Sequence, residues 1–211
     1  MKRARQQHQK QERRETILAF ARKELETSTF PDITMSQIAA RAGLVKGTLY
    51  LYFATKEELF LELLRQELHA WFWDLETALD ELPKRGRLEA SGRLLARTAT
   101  ARPNLRQLLA LLHAHLLANV PESTILAFRN EWNGRIASMG LVFERSLPFL
   151  RPGHGAQLVR RVIALIIGLQ SLGEPLQGQG PEQAAPAFGR EFQMTITALM
   201  RGLREDSPGK D

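Results

Sequence analysis

Hydrophobic residues recur along most of the chain at intervals of three and four positions, the spacing of one face of an α-helix. No segment alternates apolar and polar residues over the length of a half-buried strand. Glycine and proline interrupt the pattern at several places, where helices are expected to end. We therefore predict an all-α chain of about nine helices, at residues 13–26, 35–42, 46–53, 55–82, 88–101, 104–118, 123–147, 157–172 and 182–203.

Composition narrows the class of protein. The chain has 211 residues, of which 44% are hydrophobic and 25% charged, the balance of a globular protein of one or two domains. Cysteine is absent, which excludes a disulfide framework, a thiolate metal site and a cysteine nucleophile. The longest apolar run, 162–169, is shorter than the roughly 20 residues that a membrane span needs. The basic, polar start is unlike a secretory signal, so we predict a cytoplasmic protein without membrane contact.

Positive charge is concentrated at the N-terminus. The formal net charge is +6, and residues 1–14 contain six basic side chains against one acid, Glu12. We predict that residues 1–10 form a flexible basic arm. Two interpretations of this arm remain open: a solvated tail, or a segment that lies along DNA phosphates and adds electrostatic affinity.

The most informative segment is TMSQIAARAGLVKGTLYLYF, residues 34–53. It opens with a Thr-x-x-Gln capping box, which satisfies the first free amides of a helix. Gly43 follows where that helix must end, because a left-handed backbone costs least at glycine. The next helix buries Leu49, Tyr52 and Phe53 and presents a polar, glycine-containing face on its other side. A short helix, a glycine turn and such a second helix predict a helix-turn-helix.

The longer stretch IAARAGLVKGTLYLYFATKEELF resembles the signature of TetR-type transcriptional regulators. The resemblance covers residues 11–71 and implies a three-helix DNA-binding domain there. It further implies a helical ligand-binding and dimerisation domain at 72–204, which leaves 205–211 as a flexible tail.

Three residues depart from the pattern of this family. Thr29 stands where the family usually has glycine, so the turn after the first helix can differ. Val45 replaces the usual serine, which removes a hydroxyl that could cap the recognition helix and touch phosphate. Leu51 occupies a position that is often polar or aromatic, so the operator preference of relatives does not transfer.

The second helix of such a motif enters the major groove of DNA. Lys46 and Thr48 can reach base edges, and Gly47 lets the backbone approach the duplex closely. The resemblance implies phosphate contacts for Tyr50 and Lys56. The alternative is that Tyr50 packs inside a helical bundle with Leu51 and that Lys56 is merely solvated. The candidate DNA-binding residues are Thr34, Ser36, Val45, Lys46, Gly47, Thr48, Tyr50, Leu51 and Lys56.

The second domain offers a candidate pocket and a candidate interface. The pocket residues are Trp71, Trp73, His113, Phe128, Trp132 and Gln170, although an aromatic stripe at helical spacing is more often plain core. The last two helices are too apolar to be covered on one side only, which favours an intermolecular four-helix bundle over a monomer with a thick core. The interface residues are Leu158, Val162, Leu165, Leu169, Phe188, Phe192, Ile196 and Leu199.

No catalytic motif of a metalloprotease, a serine hydrolase or a nucleotide-binding enzyme occurs. His113 and His115 lie about 200° apart around a helix, so they cannot hold one metal from the same face. We therefore predict no enzyme, no cofactor and no metal, but a homodimeric repressor of a palindromic, double-stranded operator, released by a small, largely apolar ligand. Two alternatives remain: a regulator of the same fold whose second domain only dimerises or docks a protein, and, more distantly, an all-helical enzyme.

Overall fold

The computed structural model describes residues 2–173 and 185–205, with side chains for 5–172 and 188–205. Within these ranges it contains nine α-helices and no strand, as the periodicity predicts. The helices are α1 (Lys2–Thr27), α2 (Met35–Arg41), α3 (Lys46–Tyr50), α4 (Lys56–Asp80), α5 (Arg87–Thr100), α6 (Pro103–Leu111), α7 (Glu122–Ser146), α8 (His154–Gly173) and α9 (Ala185–Glu205). A 3-10 turn at Phe30–Asp32 and a π-helix at Leu112–Leu116 lie between them.

Residues 2–10, predicted as part of a flexible arm, are helical, because α1 begins at Lys2. Every described side chain from Arg5 to Arg13 is exposed, so this part of the helix has no apolar stripe. Its glutamines, lysines, arginines and glutamates are nevertheless good helix formers. A search for amphipathic periodicity detects a helix by its buried face and therefore misses one that is polar all round.

Two further boundaries differ from the sequence prediction. The single helix expected at 104–118 is α6 followed by the π-helix, whose wider turn is closed by the bond from Leu117 N to Leu112 O (3.1 Å). α3 ends at Tyr50, three residues before the predicted end. The break predicted after residue 173, the start of the last helix at 182 and the tail from 206 onward lie outside the described residues.

The chain divides into two compact units. The first is Met1–Glu67 with Leu111–Pro121, and the second is Leu68–Ala110 with Glu122–Asp211. Residues 111–121, predicted to belong to the second domain, are grouped with the first unit in the structure. Within the first unit, the His115 ring lies 5.8 Å from that of Phe30, and the Asn119 amide donates to the Glu57 carboxylate (3.3 Å). Such contacts between distant positions leave no signal in local periodicity.

The first unit is built on the apolar faces of its helices. The ring of Phe30, in the 3-10 turn, meets that of Phe60 edge to face at 5.3 Å. α2 packs against both α1 and α3. The side chains buried at the centre of the unit are Ile17, Leu18, Ala21, Ile38, Leu49, Phe53, Leu59 and Phe60. This core holds the two short helices of the predicted motif in place.

The second unit depends on helix pairs in close contact. α7 packs against α8, and α5 and α8 pack against α9. α7 and α8 approach closely at Gly140 and Gly155, where a Cβ on Gly140 would overlap the backbone of Ala156 and one on Gly155 would overlap the Gly140 carbonyl. Near the same crossing, the Glu144 carboxylate of α7 accepts bonds from the backbone amides of Gly153 and Gly155 (2.8 and 2.9 Å), which fixes the start of α8.

Among the described helices, α8 is long and apolar enough to cross a membrane by length and composition, with a mean hydropathy of 1.3 over His154–Leu172. Only 33% of that window is buried within the chain. Core helices of soluble proteins pass the same test. The low buried fraction of this window shows that much of the apolar helix α8 is exposed in the single chain.

The close contact of α7 and α8 gives a first testable prediction. Gly140→Ala should lower the free energy of unfolding by about 1–3 kcal/mol, because the added methyl group overlaps the backbone of α8. Urea denaturation followed by circular dichroism measures the change.

Gly134→Ala is the matched control, since Gly134 lies in the same helix and a Cβ added there would meet nothing within 4 Å. It should stabilise the chain by up to about 1 kcal/mol through helix propensity alone. Equal effects of the two substitutions would show that α7 and α8 do not meet at Gly140.

Candidate nucleic-acid interface

The predicted capping box at the start of α2 is confirmed. The Thr34 hydroxyl accepts a bond from the Gln37 backbone amide (3.2 Å), and the Gln37 side-chain oxygen accepts one from the Thr34 backbone amide (2.8 Å). Gly43 has φ +65°, the left-handed conformation that the turn after α2 requires. These local features set the direction in which the chain enters α3.

α3 has one buried side and one exposed side. Leu49 is fully buried, and Phe53 just after the helix is buried as well. On the other side Tyr50 is 42% exposed and Leu51 78% exposed, so neither packs inside the chain as the alternative interpretation required. Among the other predicted DNA-binding residues, Thr34, Ser36, Val45, Lys46 and Gly47 are exposed and Thr48 is half-buried.

The outer side of α3 matches the sequence prediction in its chemistry. The Lys46 ammonium lies 5.9 Å from the centre of the Tyr50 ring, so the two side chains share one patch. A Cβ at Gly47 would have nothing within 4 Å, which leaves its backbone open to close approach. Val45 occupies the N-cap without a side-chain bond, as expected where valine replaces a hydroxyl residue. The surface thus combines a cation, hydroxyl groups, an accessible backbone and two apolar side chains, Val45 and Leu51.

Lys56 is neither free nor simply solvated. Its ammonium donates to the backbone carbonyls of Phe30 (2.8 Å) and Ile33 (3.0 Å) and lies 4.2 Å from the centre of the Phe30 ring. Burial lowers the pKa of Lys56, while the neighbouring carboxylates of Glu57 and Asp32 act in the opposite direction. A cation in the first turn of a helix opposes the helix dipole and gains from acceptor partners. The 3-10 turn and the residue after it supply two carbonyl partners.

A bond network fixes the turn between α3 and α4. The Thr55 hydroxyl accepts from the Glu58 backbone amide (3.0 Å), as in the first half of a capping box. The reciprocal bond differs, because the Glu58 carboxylate accepts from the backbone amide of Ala54 (3.0 Å).

Arg14 supports the same region and was missed as a positioning residue. Its guanidinium lies 4.4 Å from the centre of the Phe53 ring, donates to the Tyr52 carbonyl (3.5 Å) and pairs with Glu62 (3.1 Å). From the sequence, Arg14 counts only toward the positive charge of residues 1–14. Its position one helical turn before Ile17 and Leu18 was the available signal, since such a residue borders the buried face of α1.

A cleft of about 510 Å³ lies between α4 and α7 in the second unit. Trp73, which borders it, is 66% exposed. Two ion pairs lie along the cleft, Arg135 with Glu131 (2.9 Å) and Arg145 with Glu76 (3.6 Å). The apolar lining residues are Phe72, Trp73, Met139, Leu141 and Val142.

Of the six residues predicted to line a ligand pocket, Trp73 alone lines this cleft. Trp71 is fully buried and donates to the Thr98 hydroxyl (3.0 Å). Phe128 is buried against the Trp132 ring (5.4 Å). His113 is exposed on the π-helix, which belongs to the first unit.

The sixth predicted residue, Gln170, has a partner that the sequence did not reveal. Its side-chain oxygen accepts from Nε of Arg106 (3.0 Å), a buried side chain that also donates to the carbonyls of Ala99 and Thr100 (2.9 and 2.6 Å). Burial lowers the pKa of Arg106, and the Phe188 ring covers its guanidinium at 4.5 Å. Gln170 thus joins α8 to Arg106 of α6, which in turn bonds to the end of α5.

The predicted dimer-interface residues fall into two groups. Leu158, Val162, Phe188, Phe192 and Ile196 are buried in the core of their own chain. A side chain that is already removed from solvent has no area left to bury against a partner, so these five cannot form the contact surface. The half-buried residues Leu165, Leu169 and Leu199 keep accessible area. The apolar pattern of α8 and α9 identified the residues buried within the chain. A dimer interface would have to use the neighbouring, still accessible residues of these helices.

Two family models match this chain. Residues 17–63 match the model described as bacterial regulatory proteins, tetR family, and residues 65–207 match the tetracyclin repressor-like, C-terminal domain. The HTH-type transcriptional regulator EthR of Mycolicibacterium smegmatis is 32% identical over 72 residues. That match covers 34% of this chain and only 33% of the relative's length.

Solved structures share the whole architecture at low sequence identity. A transcriptional regulator from Cytophaga hutchinsonii superimposes with a TM-score of 0.60 at 16% identity, over 91% of this chain and 96% of that one. The fatty acid degradation regulator FadR from Bacillus halodurans gives 0.57 at 14% identity, over 87% and 94%. At this identity the likeness shows a common fold. Since the two family models together cover the helix-turn-helix and more than half of the chain, the protein belongs to the TetR family of bacterial regulatory proteins.

Proposed function

We propose that this chain is a cytoplasmic, homodimeric transcriptional repressor whose α3 enters the major groove of a palindromic operator. The observation that carries the proposal is the exposed outer side of α3, held over a buried Leu49 by the capped turn before it. Membership of a family of DNA-binding regulators supports the same conclusion. Two recognition helices related by two-fold symmetry would contact half-sites about one helical turn apart, or a multiple of it.

The two kinds of contact residue have different tasks in this proposal. Lys46 and Thr48 contact base edges and discriminate between sequences. Lys56 contacts a phosphate and also holds the 3-10 turn through Phe30 and Ile33. An ammonium has three N–H donors, and two are used within the chain, so one remains for DNA.

Substitutions at Thr48 and Lys56 should therefore differ in kind. Thr48→Ala should weaken binding of the selected duplex by about 1–3 kcal/mol, through the loss of contact with one base pair. It should not change the affinity for duplexes in which that base pair is already replaced. Lys56→Met should weaken binding to every duplex, lower the salt slope by about 0.9 in each half-site (about 1.8 for the dimer) and lower the melting temperature. Fluorescence anisotropy at several salt concentrations, with single-base variants of a selected duplex, measures these effects.

Lys23→Met is the control for removal of a cation, because Lys23 is exposed on α1 and lies 5.7 Å from the Phe20 ring. It should change neither the melting temperature nor sequence preference. If Lys56→Met changed base preference and left the salt slope intact, the assignment of a phosphate contact would be wrong.

For the dimer, we propose contact through the outer faces of α8 and α9. Leu172 is 85% exposed and Met194 62% exposed, although both are apolar. Gly168 of α8 and Gly202 of α9 have nothing within 4 Å of a Cβ position, so packing within the chain does not explain them. Glycine inside a helix costs about 1 kcal/mol relative to alanine. A partner helix that approaches closely would account for that cost and would cover the exposed apolar area.

Gly168→Glu should give monomers, because the added carboxylate would be buried without a partner in the interface. The single chain tolerates it, since the site is open in the isolated fold. Sedimentation velocity reports the mass, and a protein that no longer dimerises should no longer bind a two-half-site duplex.

Gly134→Glu places the same side chain on an equally open helical glycine of α7 and should leave the dimer intact. A stable Gly168→Glu dimer would remove this face of α8 from the interface.

For the effector, we propose that a small, largely apolar molecule binds in the cleft between α4 and α7. Phe72, Met139 and Val142 supply an apolar wall, and Trp73 can cover a ligand from the solvent side. α4 is continuous from Lys56 to Asp80, so one helix carries both the Lys56 bonds and the cleft wall. A ligand that wedges α4 away from α7 would change how far apart the two α3 helices of a dimer lie. The ligand must prefer that arrangement, because otherwise it shifts no equilibrium.

Reciprocity tests this coupling. A hundredfold loss of operator affinity corresponds to about 2.7 kcal/mol, and operator DNA must then weaken ligand binding by the same factor. Hydrophobic compounds that raise the melting temperature are titrated with and without the duplex, and Trp73 fluorescence reports binding. Trp73→Ala should reduce the rise in melting temperature that the compound produces and leave operator affinity unchanged. Equal compound affinities in both titrations would show that the cleft does not control DNA release.

A further inference from the structure

The first three turns of α1 are a surface that has no role in the operator, dimer or effector contacts proposed above. They precede residue 17, where the match to the DNA-binding family model begins. Every described side chain from Arg5 to Arg13 is exposed, so this part of the helix is not needed for the core of the first unit. At 1.5 Å per residue, residues 2–13 extend over about 17 Å.

Between residues 10 and 15 the charges divide by helix face. Lys10, Arg13 and Arg14 follow the i, i+3, i+4 spacing of one face. Glu12 and Glu15 lie on the other side by the same register. There Glu15 accepts bonds from Gln11 (2.7 Å) and from Gln66 of α4 (2.8 Å).

Arg14 shows where the cationic face points. Its guanidinium contacts the Tyr52 carbonyl and the Phe53 ring, directly after α3. Lys10 lies one turn earlier on the same face and so continues that side of the unit beyond the end of the core. In the described part of the chain, Lys10 and Arg13 form no ion pair, which leaves both charges available.

We propose that this cationic helical face, Lys10 with Arg13, binds DNA phosphates that flank the half-site contacted by α3. The inference rests on the proposed operator binding and adds a contact outside the helix-turn-helix. Phosphates suit the face because it offers cations without a groove-reading surface, and duplex DNA carries one charge per roughly 1.7 Å. A helix that is already formed presents its charges at fixed spacing, so binding orders less chain than a flexible arm would.

The test compares two double variants on two duplexes. Lys10→Gln with Arg13→Gln removes the charges and keeps good helix formers at both positions. Arg93→Gln with Arg97→Gln is the control, since these two cations are also exposed and one helical turn apart, but on α5 in the second unit. One duplex, selected from a random pool by the wild-type protein, keeps about ten flanking base pairs on each side, the length of one helical turn. The other is trimmed to the palindrome.

On the long duplex, the salt slope of the test variant should be shallower by about 0.9 for each phosphate that the variant no longer neutralises, or up to about 3.6 for two phosphates in each half of a dimer. On the trimmed duplex, the test variant and the wild type should have equal slopes. The control variant should match the wild type on both, and circular dichroism should show equal helix content for all three proteins.

Two results would overturn the inference: equal slopes for the test and control variants on the long duplex, or a reduction in slope that persists unchanged on the trimmed duplex. Failure of the extension is distinct from failure of the proposed function. If the wild-type protein selects a symmetric duplex and the test variant keeps its salt slope, only the flanking contact is wrong. If the wild-type protein selects no duplex at all, both proposals fail together.

Discussion

The ammonium of Lys56 connects the parts of the first unit that must keep a fixed geometry. A cation in the first turn of a helix opposes the helix dipole, and here it is also partly buried. Two backbone carbonyls of the turn before α2 and the face of Phe30 offset that cost. As a result the start of α4 and the entry to the helix-turn-helix are bonded to each other. Any displacement of α4 at this end would have to break charge-assisted bonds or move α2 as well.

α3 has only five residues and relies on its neighbours for order. Isolated helices of that length are unstable in water, because nucleation costs more than one turn of bonds returns. Its position is therefore imposed by the capped turn on one side, by Leu49 beneath it and by Arg14 against the chain that follows. The exposed side of α3 makes no contact that the fold depends on. Residues such as Leu51 can therefore vary with little effect on the fold.

The sequence predicted what local rules encode. The capping box of α2, the turn at Gly43 and the count of helices follow from spacing alone, and each is present in the described residues. The start of α1 did not follow, because a helix without a buried face has no periodic signal. The partners of Lys56 and Gln170 did not follow either, since they lie 23 and 64 positions away along the chain.

Five of the eight predicted interface residues lie in the core of their own chain, for a physical reason. Periodicity marks the most apolar stripe of a helix, and in α9 that stripe faces α5 and α8 of the same chain. The accessible face carries small and mixed residues such as Gly202 and Met194, which a hydrophobicity pattern ranks low. Distinguishing the two faces requires knowing which neighbour each one meets, and that is a property of the folded chain.

The short segment Leu111–Pro121 has a consequence for exchanging domains between relatives. It falls within the residues matched by the C-terminal family model, yet it packs in the same compact unit as the helix-turn-helix. A chimaera joined near residue 65 would carry the segment of one parent beside the N-terminal helices of the other. Phe30 would then meet a foreign side chain in place of His115, and Glu57 would lose its bond from Asn119. Specificity for an operator can therefore be transplanted cleanly only if this eleven-residue insert travels with the N-terminal helices, so the transferable module is discontinuous in sequence.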